Sequence, residues 1–508
     1  MQTVPLTETQ EENRILKDEN ERLRKIIILL KRDKFGSKSE RFIEITPEQL
    51  IFNEIEKEAA LPEFQETEHI AYDRKKGRGK KKPYPDNLPR EEKIIDLSES
   101  EKTCPHDGAR LREIGEERTE KFKVVPAQMS IVVEIKKKYA CPDCESHMAQ
   151  AKSNSILPGT IATPELLSFI IFSKFFQALP LYRIEELFKL NGVAVTRGTM
   201  ARWLIALTEK LMPIYNLLSD KMFERGYMAI DATGVQVLKE PGRAAQTKST
   251  MWARGSPEKG IVLFDYDVSG GGKVAKKLIA GFSGALQADA HRGYGMLDRA
   301  ELLLLGCMMH ARRRFNDAFV GGGKKPGLAH DGVLMFKWLY DKEEDYKKRE
   351  LTPAQRKEIR DKEIAPSLEA MKEWAVSKIP LVPKTSPIGN ALHYFVNEYT
   401  ELTAFLANGR YEIDNGWLER MFKKFAIGRK NWLFCDSVEG AHASSLLYSL
   451  TITAKLNGKD PFKVMTEIFE RLPQASTLED YEELTALLLS PENPLSCLKK
   501  EGMVQLQS

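Results

Sequence analysis

The hydrophobic period changes at Arg225, from helical spacing to the alternation of a β-strand, GYMAIDATGVQVL. Asp231 lies in the middle of this strand, between Ile230 and Ala232. Burying an ionised carboxylate is costly unless a cation pairs with it. The sequence therefore predicts that Asp231 faces a metal ion or an arginine. The alternative, a turn aspartate in Asp-Ala-Thr-Gly, is weaker because strand-like sequence continues to Leu238.

The segments that follow predict strands at 249–254 and 260–268, a helix at 273–280 and a returning strand at 284–290. This order is typical of the opening of a ribonuclease H-like α/β fold. Asp289 lies at the end of the returning strand, and in open sheets chemistry collects at strand ends. We therefore expect Asp231 and Asp289 to share an ion. Asp265 and Asp267 of the intervening strand compete for the same role.

A third acid is predicted on a helix that Asp414 caps, in the run NGWLERMFKKFAIGRK. Glu419 falls just outside the predicted buried stripe of this helix, where a carboxylate reaches inward to a metal. An exposed ion pair between Glu419 and Lys423 explains the same spacing equally well. The stripe consists of Trp417, Leu418, Met421, Phe422 and Phe425.

Composition limits the class of protein. The chain has 508 residues, of which 42% are hydrophobic and 30% charged, which excludes disordered, collagen-like and membrane proteins and suggests about three domains. Six cysteines are too few for a disulfide scaffold. The net charge is only +4, but basic residues cluster, which indicates a polyanionic partner. The first residues lack the features of a signal peptide, so we expect a cytoplasmic, nucleoid-associated bacterial protein and no membrane.

Residues 1–60 begin with a short leucine zipper. Leu16, Leu23 and Leu30 are seven apart, and Asn13 and Asn20 occupy the other seam position. This pattern predicts a parallel homodimer. A single amphipathic helix docked on its own chain is the alternative.

A basic linker is predicted at 61–95, because the segment is rich in charge, glycine and proline and lacks periodicity. Its basic run suits contacts to a phosphate backbone without base readout. The alternative is a solvated linker that binds nothing. The candidate DNA contacts are Lys75, Lys76, Arg78, Lys80 and Lys81.

Residues 96–155 are predicted to form a zinc-finger-like module with a strand over 121–139. Cys141 and Cys144 have the spacing of a zinc knuckle, whereas Cys104 is followed by Asp107 where a second cysteine would complete the first pair. Either His106 or Asp107 is then the fourth zinc ligand. The alternative is a hairpin that has lost its metal.

Residues 156–224 are predicted to be helical and to bind DNA. Thr163, Pro164 and Glu165 have the order of a helix start. Residues 181–211 then have the dimensions of a helix-turn-helix, in which Arg197 and Arg202 are available to DNA. Two antiparallel core helices match the same pattern.

The ordered set of motifs CPHDG, YACPDC, ATPELL, LPLYR, DATGVQVL, LQADAHRGYG, GCMMHARRRF and IDNGWLERMFKKFAIGRKNWLF resembles the insertion sequence 66 family of DDE transposases over nearly the whole chain. The resemblance implies a multidomain α+β protein with an N-terminal coiled coil, a small zinc-finger-like module and a helix-turn-helix-like region. A ribonuclease H-like catalytic domain follows, with its core at 225–320 and 409–470, a helical insertion at 321–408 and a tail at 471–508. The incomplete first cysteine pair departs from the family pattern and leaves zinc open.

In this family, Asp231, Asp289 and Glu419 match the catalytic acids that hold two Mg²⁺ or Mn²⁺ ions for DNA cleavage and strand transfer. The resemblance also implies binding to transposon ends and target DNA, a dimer or larger assembly, and accessory proteins of the same element. A nuclease or resolvase without strand transfer and an inactive DNA-binding repressor are the alternatives. Candidate phosphate contacts, which surface charge explains equally well, are His291, Arg292, His310, Arg312, Arg313, Arg429 and Lys430.

Overall fold

The computed structural model describes residues 129–140, 148–150, 154–224, 226–289 and 302–490. The predicted zipper, the basic linker and all four predicted zinc ligands lie outside these residues. All of the described residues belong to one compact unit, Pro126–Ser508. Within the described residues, no helix combines the length and apolarity needed to cross a membrane.

The predicted strand at 121–139 differs from the structure where the two overlap. Residues 129–137 have no regular secondary structure, and only Lys138–Ala140 forms a strand, β1. β1 pairs antiparallel with β2, Met148–Gln150.

The predicted helical region begins as expected. Helix α1, Pro164–Ile171, starts where the Thr163 hydroxyl accepts a hydrogen bond from the Leu166 backbone, and it continues as a π-helical turn, Phe172–Phe176. Helix α2 is Leu181–Leu190, and α3 is Arg197–Phe223.

Helix α3 has 27 residues and is much longer than the recognition helix predicted from the sequence. Buried apolar side chains from Leu204 to Met222 join the core that contains the sheet. Arg197 and Arg202 are exposed at its N-terminal end. One face of α3 is therefore buried in the core along most of its length, and Arg197 and Arg202 remain exposed at its start.

The central sheet starts with an antiparallel meander of β3 (Tyr227–Lys239), β4 (Lys248–Ser256) and β5 (Ile261–Asp267). Helix α4, Gly272–Leu278, leads to β6 (Gly284–Ala288), and β7 is Leu302–Gly306. Both β6 and β7 run parallel to β3, and the strand order is β5-β4-β3-β6-β7.

The helical insertion has its own hydrophobic core, which includes Phe315, Phe336, Leu392 and Phe395. Helix α5, Met308–Gly321, follows β7 directly and contributes to this core. The remaining elements are α6 (Leu328–Lys348), α7 (Pro353–Ile359) with a π-helical turn (Arg360–Ile364), α8 (Ala365–Lys378), a 3₁₀ turn (Ile379–Leu381), α9 (Pro387–Asn397), α10 (Tyr399–Thr403) and a second 3₁₀ turn (Ala404–Ala407).

The chain then returns to the sheet. Helix α11 is Gly416–Trp432, and the short strand β8, Cys435–Ser437, pairs parallel with the end of β3. The last elements are α12 (Val438–Leu456), α13 (Pro461–Arg471), a 3₁₀ turn (Leu472–Gln474) and α14 (Leu478–Leu487). Leu484 and Leu488 are buried in the main core, so the segment predicted as a tail is folded as far as residue 490.

Helix α12 protects the edge strand β5. The Ser449 hydroxyl accepts a hydrogen bond of 2.7 Å from the backbone N–H of Phe264. The Thr453 hydroxyl accepts one from the N–H of Val262 and donates one to its carbonyl. These hydroxyls lie one helical turn apart and satisfy backbone groups that an exposed edge would present to another chain.

Candidate active site

Three parallel strands bring one row of residues together, at the carboxyl ends of β6 and β7 and in the middle of β3. Ala229 of β3 pairs with Gln287 of β6, and Ala288 of β6 pairs with Gly306 of β7. Continuing these registers places Asp231 level with Asp289, and Asp289 level with Cys307. Residues in register on parallel strands point to the same face of the sheet. On β3, residues 227–229 pair with β6, whereas residues 237 and 239 pair with β8. Asp231 therefore lies between the segments of β3 that pair with these two parallel strands.

This face of the sheet is covered by α11. Asp231 pairs with Ala253, which pairs with Phe264 on β5. The ring centroid of Phe264 is 5.7 Å from that of Phe422 and 6.0 Å from that of Phe425, both on α11. Helix α11 therefore packs on the side of the sheet to which Asp231 points.

Glu419 lies at the border of the packed side of α11, as the helical spacing predicts. Its side chain is 20% exposed. The first turn differs from the prediction, because Asn415 and not Asp414 occupies the N-cap position. Asp414 accepts hydrogen bonds from the N–H of Gly416 (2.8 Å) and the hydroxyl of Tyr340 (2.6 Å). The five residues predicted to form the apolar stripe are all buried: Trp417, Leu418, Met421, Phe422 and Phe425.

His310, in the first turn of α5, connects two of the predicted acids. Its Nε2 atom is 3.8 Å from Oδ2 of Asp289 and also 3.8 Å from Oε1 of Glu419. These two carboxylate oxygens are thus no farther apart than twice that distance. Asp289 is 8% exposed, so the pair lies in a partly desolvated site.

Asp231 acts electrostatically on the same site. Burial raises the pKa of the Glu419 carboxyl, Arg313 and His310 lower it, and the charges of Asp231 and Asp414 raise it, with a net increase. Repulsion among neighbouring carboxylates is relieved by a divalent cation. Oxygen donors of this kind are the ligands that Mg²⁺ prefers, so the chemistry of the three side chains fits that ion.

The competing acids of β5 lie on the opposite face of the sheet. Asp265 pairs with Trp252 on β4, and side chains alternate between faces along a strand. Its carboxylate forms an ion pair of 2.8 Å with Arg254 and accepts a hydrogen bond of 2.6 Å from Tyr215 of α3. Asp267, two positions on, shares that face and accepts from the N–H of Ser269.

The alternative role for Glu419 also differs from what the structure shows. Glu419 does not reach outward to Lys423 but lies 3.4 Å from the guanidinium of Arg313 and next to His310, both on α5. The Glu419 carboxylate therefore faces inward, toward the row of Asp231, Asp289 and Cys307.

Two tyrosines of the insertion contact this site, and sequence spacing did not reveal them. Tyr394 of α9 donates a hydrogen bond of 3.0 Å to Asp289, and the guanidinium of Arg314 lies 4.1 Å from its ring centroid. Tyr340 of α6 bonds Asp414, and Arg312 lies 4.8 Å from its ring centroid. These arginine–ring distances are typical of cation–π contacts.

Of the predicted phosphate contacts, His310 lies between Asp289 and Glu419, and the others fall into three groups. Arg312 and Arg313 are exposed on α5 beside the acids, and Lys430 is exposed near the end of α11. Arg429 is half-buried and donates hydrogen bonds to the carbonyl of Gly234 and the hydroxyl of Thr233, so it fastens α11 to β3. His291, Arg292 and the five basic residues of the linker lie outside the described residues.

Comparison with protein families gives three matches in chain order. The description "Transposase C of IS166 homeodomain" matches residues 22–92, and "zinc-finger binding domain of transposase IS66" matches 101–145. "Transposase IS66 family" matches residues 159–443, more than half of the chain. The last match includes the sheet, the helical insertion and α11.

The chain is also similar to proteins of Sinorhizobium fredii (strain NBRC 101917 / NGR234). It is 29% identical to uncharacterized protein y4qI over 499 residues, 94% of this chain and 91% of the relative. It is 30% identical to uncharacterized protein y4jD over 408 residues, 77% of this chain and 78% of the relative. No solved structure matches the chain.

Proposed function

Because the chain belongs to the IS66 family of transposases, we propose that it is the catalytic transposase of an insertion element. It binds the terminal inverted repeats of that element, cuts the DNA at their ends and joins the released ends to target DNA. The observation that carries this proposal is the convergence of Asp289 and Glu419 on His310, with Asp231 in register beside Asp289.

In this proposal, Asp231, Asp289 and Glu419 hold two Mg²⁺ or Mn²⁺ ions. When bound, such ions activate the attacking oxygen and neutralise charge on the leaving oxygen. The side chains fix the geometry: Asp231 stands within β3, Asp289 directly follows β6, and Glu419 stands on a helix packed against the sheet. Such rigid placement is what precise ligand geometry requires.

The surrounding side chains position DNA. Arg313 is about half-exposed while it contacts Glu419, so it can reach a phosphate at the mouth of the site. Water is the first nucleophile and breaks a phosphodiester bond to release a 3′-OH. That hydroxyl is the second nucleophile and attacks a target phosphodiester, whose own 3′ oxygen leaves. Neither step needs a covalent intermediate with the protein.

We also propose that the catalytic domain is ribonuclease H-like. The support is the strand order β5-β4-β3-β6-β7, with an antiparallel meander followed by two parallel strands. The insertion at 321–408 then interrupts this domain before the helix that carries Glu419.

The N-terminal modules are proposed to bind and pair the transposon ends. The support is the two family matches over residues 22–92 and 101–145 and the basic run at 74–82. The zipper would join two copies into a dimer or larger assembly, zinc would organise the finger, and accessory proteins of the element would join the complex on the nucleoid.

The test uses a labelled duplex of a transposon end, the full-length protein and Mg²⁺ or Mn²⁺. Cleavage followed by joined products supports the proposal, and Asp231→Asn and Glu419→Gln should each abolish both. Persistent cleavage by either variant would refute the site. Nicks without joined products indicate a nuclease or resolvase, and end binding without metal-dependent cleavage indicates a repressor.

A further inference from the structure

A second set of donor atoms lies against the proposed catalytic acids. The thiol of Cys307, a ring nitrogen of His310 and a carboxylate oxygen of Glu419 are all within 4.8 Å of one another. Their chemistry differs from that of the three acids, because sulfur and nitrogen replace two of the oxygens. Such a set suits zinc and other thiophilic ions better than Mg²⁺.

The fold builds this cluster from rigid elements. Cys307 follows β7 directly and occupies the N-cap position of α5, and His310 comes three residues later on the first turn. Residues three apart at a helix start face the same side. Glu419 approaches from the first turn of α11.

The buried side chain of Asn415 contacts the same sulfur and, within the described part of the chain, leaves one of its own polar atoms unsatisfied. Its side chain is fully buried, and its Oδ1 accepts a hydrogen bond of 2.9 Å from the Cys307 thiol. Among the described residues, its Nδ2 has no hydrogen-bond partner. Rotating the amide by half a turn would direct this donor at the sulfur, where it would stabilise a thiolate. A second-sphere donor of this kind is typical of metal-bound ligands.

We propose that Cys307, His310 and Glu419 form a site for a thiophilic divalent ion such as Zn²⁺, which competes with the catalytic ions for Glu419 and switches the centre off. This inference rests on the proposed function, because it assigns Glu419 to catalysis. On binding, the S–H bond of Cys307 breaks, a metal–sulfur bond forms and the proton passes to solvent. Zinc binds mixed nitrogen and sulfur donors far more strongly than Mg²⁺ does, so trace zinc is sufficient to compete.

The first experiment measures inhibition. Cleavage of a transposon-end duplex in Mg²⁺ is followed while Zn²⁺ is titrated, with Cys307→Ser compared with the wild type. Loss of even a second-sphere partner costs about 10- to 100-fold in metal affinity, so loss of the sulfur should raise the half-inhibiting Zn²⁺ concentration by at least about tenfold. Cys435→Ser, which removes the other buried free thiol of the described residues, should leave inhibition unchanged. Ca²⁺, which prefers oxygen ligands, should inhibit all three proteins alike.

The second experiment observes the sulfur directly. Co²⁺ is added to full-length wild-type protein and to Cys307→Ser, and the thiolate-to-cobalt charge-transfer absorption is compared. Cysteines of the N-terminal module contribute equally to both spectra, so the difference belongs to Cys307. A larger band in the wild type supports the site.

Identical cobalt spectra, or zinc inhibition that is equal in the wild type and Cys307→Ser, would overturn the inference. If the wild type shows no Mg²⁺-dependent cleavage, the proposed function fails, while the cobalt comparison still decides whether Cys307 binds a metal.

Discussion

The phenol of Tyr394 donates a hydrogen bond of 3.0 Å to Oδ1 of Asp289 and so ties the helical insertion to the end of β6. Burial raises the pKa of Tyr394, as does the charge of Asp289, so the phenol keeps its proton and remains a donor. The other oxygen of Asp289 faces His310. Tyr394 therefore fixes which carboxylate oxygen is directed at the proposed metal site.

We predict that Tyr394→Phe weakens the response to Mg²⁺ without unfolding the protein. Outer-sphere partners of metal ligands contribute about 10- to 100-fold to metal affinity, so the Mg²⁺ concentration for half-maximal cleavage should rise by a factor in that range. The readout is the Mg²⁺ dependence of end cleavage. Tyr399→Phe is the matched control, because its hydroxyl bonds the exposed Glu369 away from the acids. An unchanged Mg²⁺ dependence in Tyr394→Phe would mean that this hydrogen bond has no positioning role.

A second prediction distinguishes Asp231 from Asp265, its competitor for the catalytic role. Asp265→Asn leaves Arg254, whose side chain is 5% exposed, without its charged partner. Breaking a buried ion pair costs about 3 to 5 kcal/mol, so the midpoint of urea unfolding should fall clearly. Cleavage below the unfolding transition should persist, since Asp265 points away from α11. Asp231→Asn should behave in the opposite way, with stability nearly retained and cleavage lost. Loss of cleavage in folded Asp265→Asn would mean that the active site lies on the face of the sheet opposite α11, and the proposed site would be wrong.

The sequence predicted the elements of the site better than their contacts. Strand alternation located Asp231, and the 3.6-residue period located the buried stripe beside Glu419, because both depend on local patterning. The N-cap is Asn415 and not Asp414, and one oxygen of Asp414 accepts a hydrogen bond from Tyr340, 74 positions away. Partners so distant along the chain leave no periodic signal.

The sequence also does not reveal whether a basic side chain faces DNA or a group of the protein itself. The sequence predicts that Arg429 contacts DNA, but in the structure its guanidinium donates a hydrogen bond to the carbonyl of Gly234, 195 positions away. Helix α3 has helix-turn-helix spacing at its start, yet one face of its later turns is buried in the core. Local pattern does not distinguish a recognition helix from a packed one when both are amphipathic.

A third prediction concerns pH. Burial raises the pKa of Glu412, but Lys347 and Arg356 outweigh it and hold the pKa at about 2, below the ordinary value of 4.5. A carboxyl with a depressed folded-state pKa adds stability above its unfolded pKa and loses that contribution as the pH falls toward the folded value. Glu412→Gln should therefore lower the free energy of unfolding by roughly 3 kcal/mol at pH 7, and this deficit should shrink from about pH 4.5 downward.

The measurement is urea unfolding of the wild type and Glu412→Gln at several pH values. Glu358→Gln is the matched control, because Glu358 forms an exposed pair with Lys362 on a neighbouring surface helix. Exposed pairs of this kind contribute little, so this variant should track the wild type at every pH. A deficit for Glu412→Gln that stays constant to the lowest pH would exclude the ionised carboxylate as its source.

The last prediction tests whether close packing of α11 on the sheet positions Glu419. Gly255 of β4 faces the indole of Trp417, and a Cβ atom there would lie 2.6 Å from Cη2 of that ring and 2.8 Å from the carbonyl of Ile261. Neither group can yield easily, since the indole is buried and the carbonyl belongs to the paired strand β5. Gly255→Ala should cost about 1 to 3 kcal/mol by overpacking and should displace the first turn of α11, so cleavage by the folded protein should fall as well. Gly234→Ala is the control within the same sheet, because its Cβ would lie 3.5 Å from the Lys248 side chain and 4.0 Å from the carbonyl of Ser249, which are ordinary contacts. If Gly255→Ala lowers stability while folded protein cleaves at the wild-type rate, the packing of Trp417 against β4 does not set the position of Glu419.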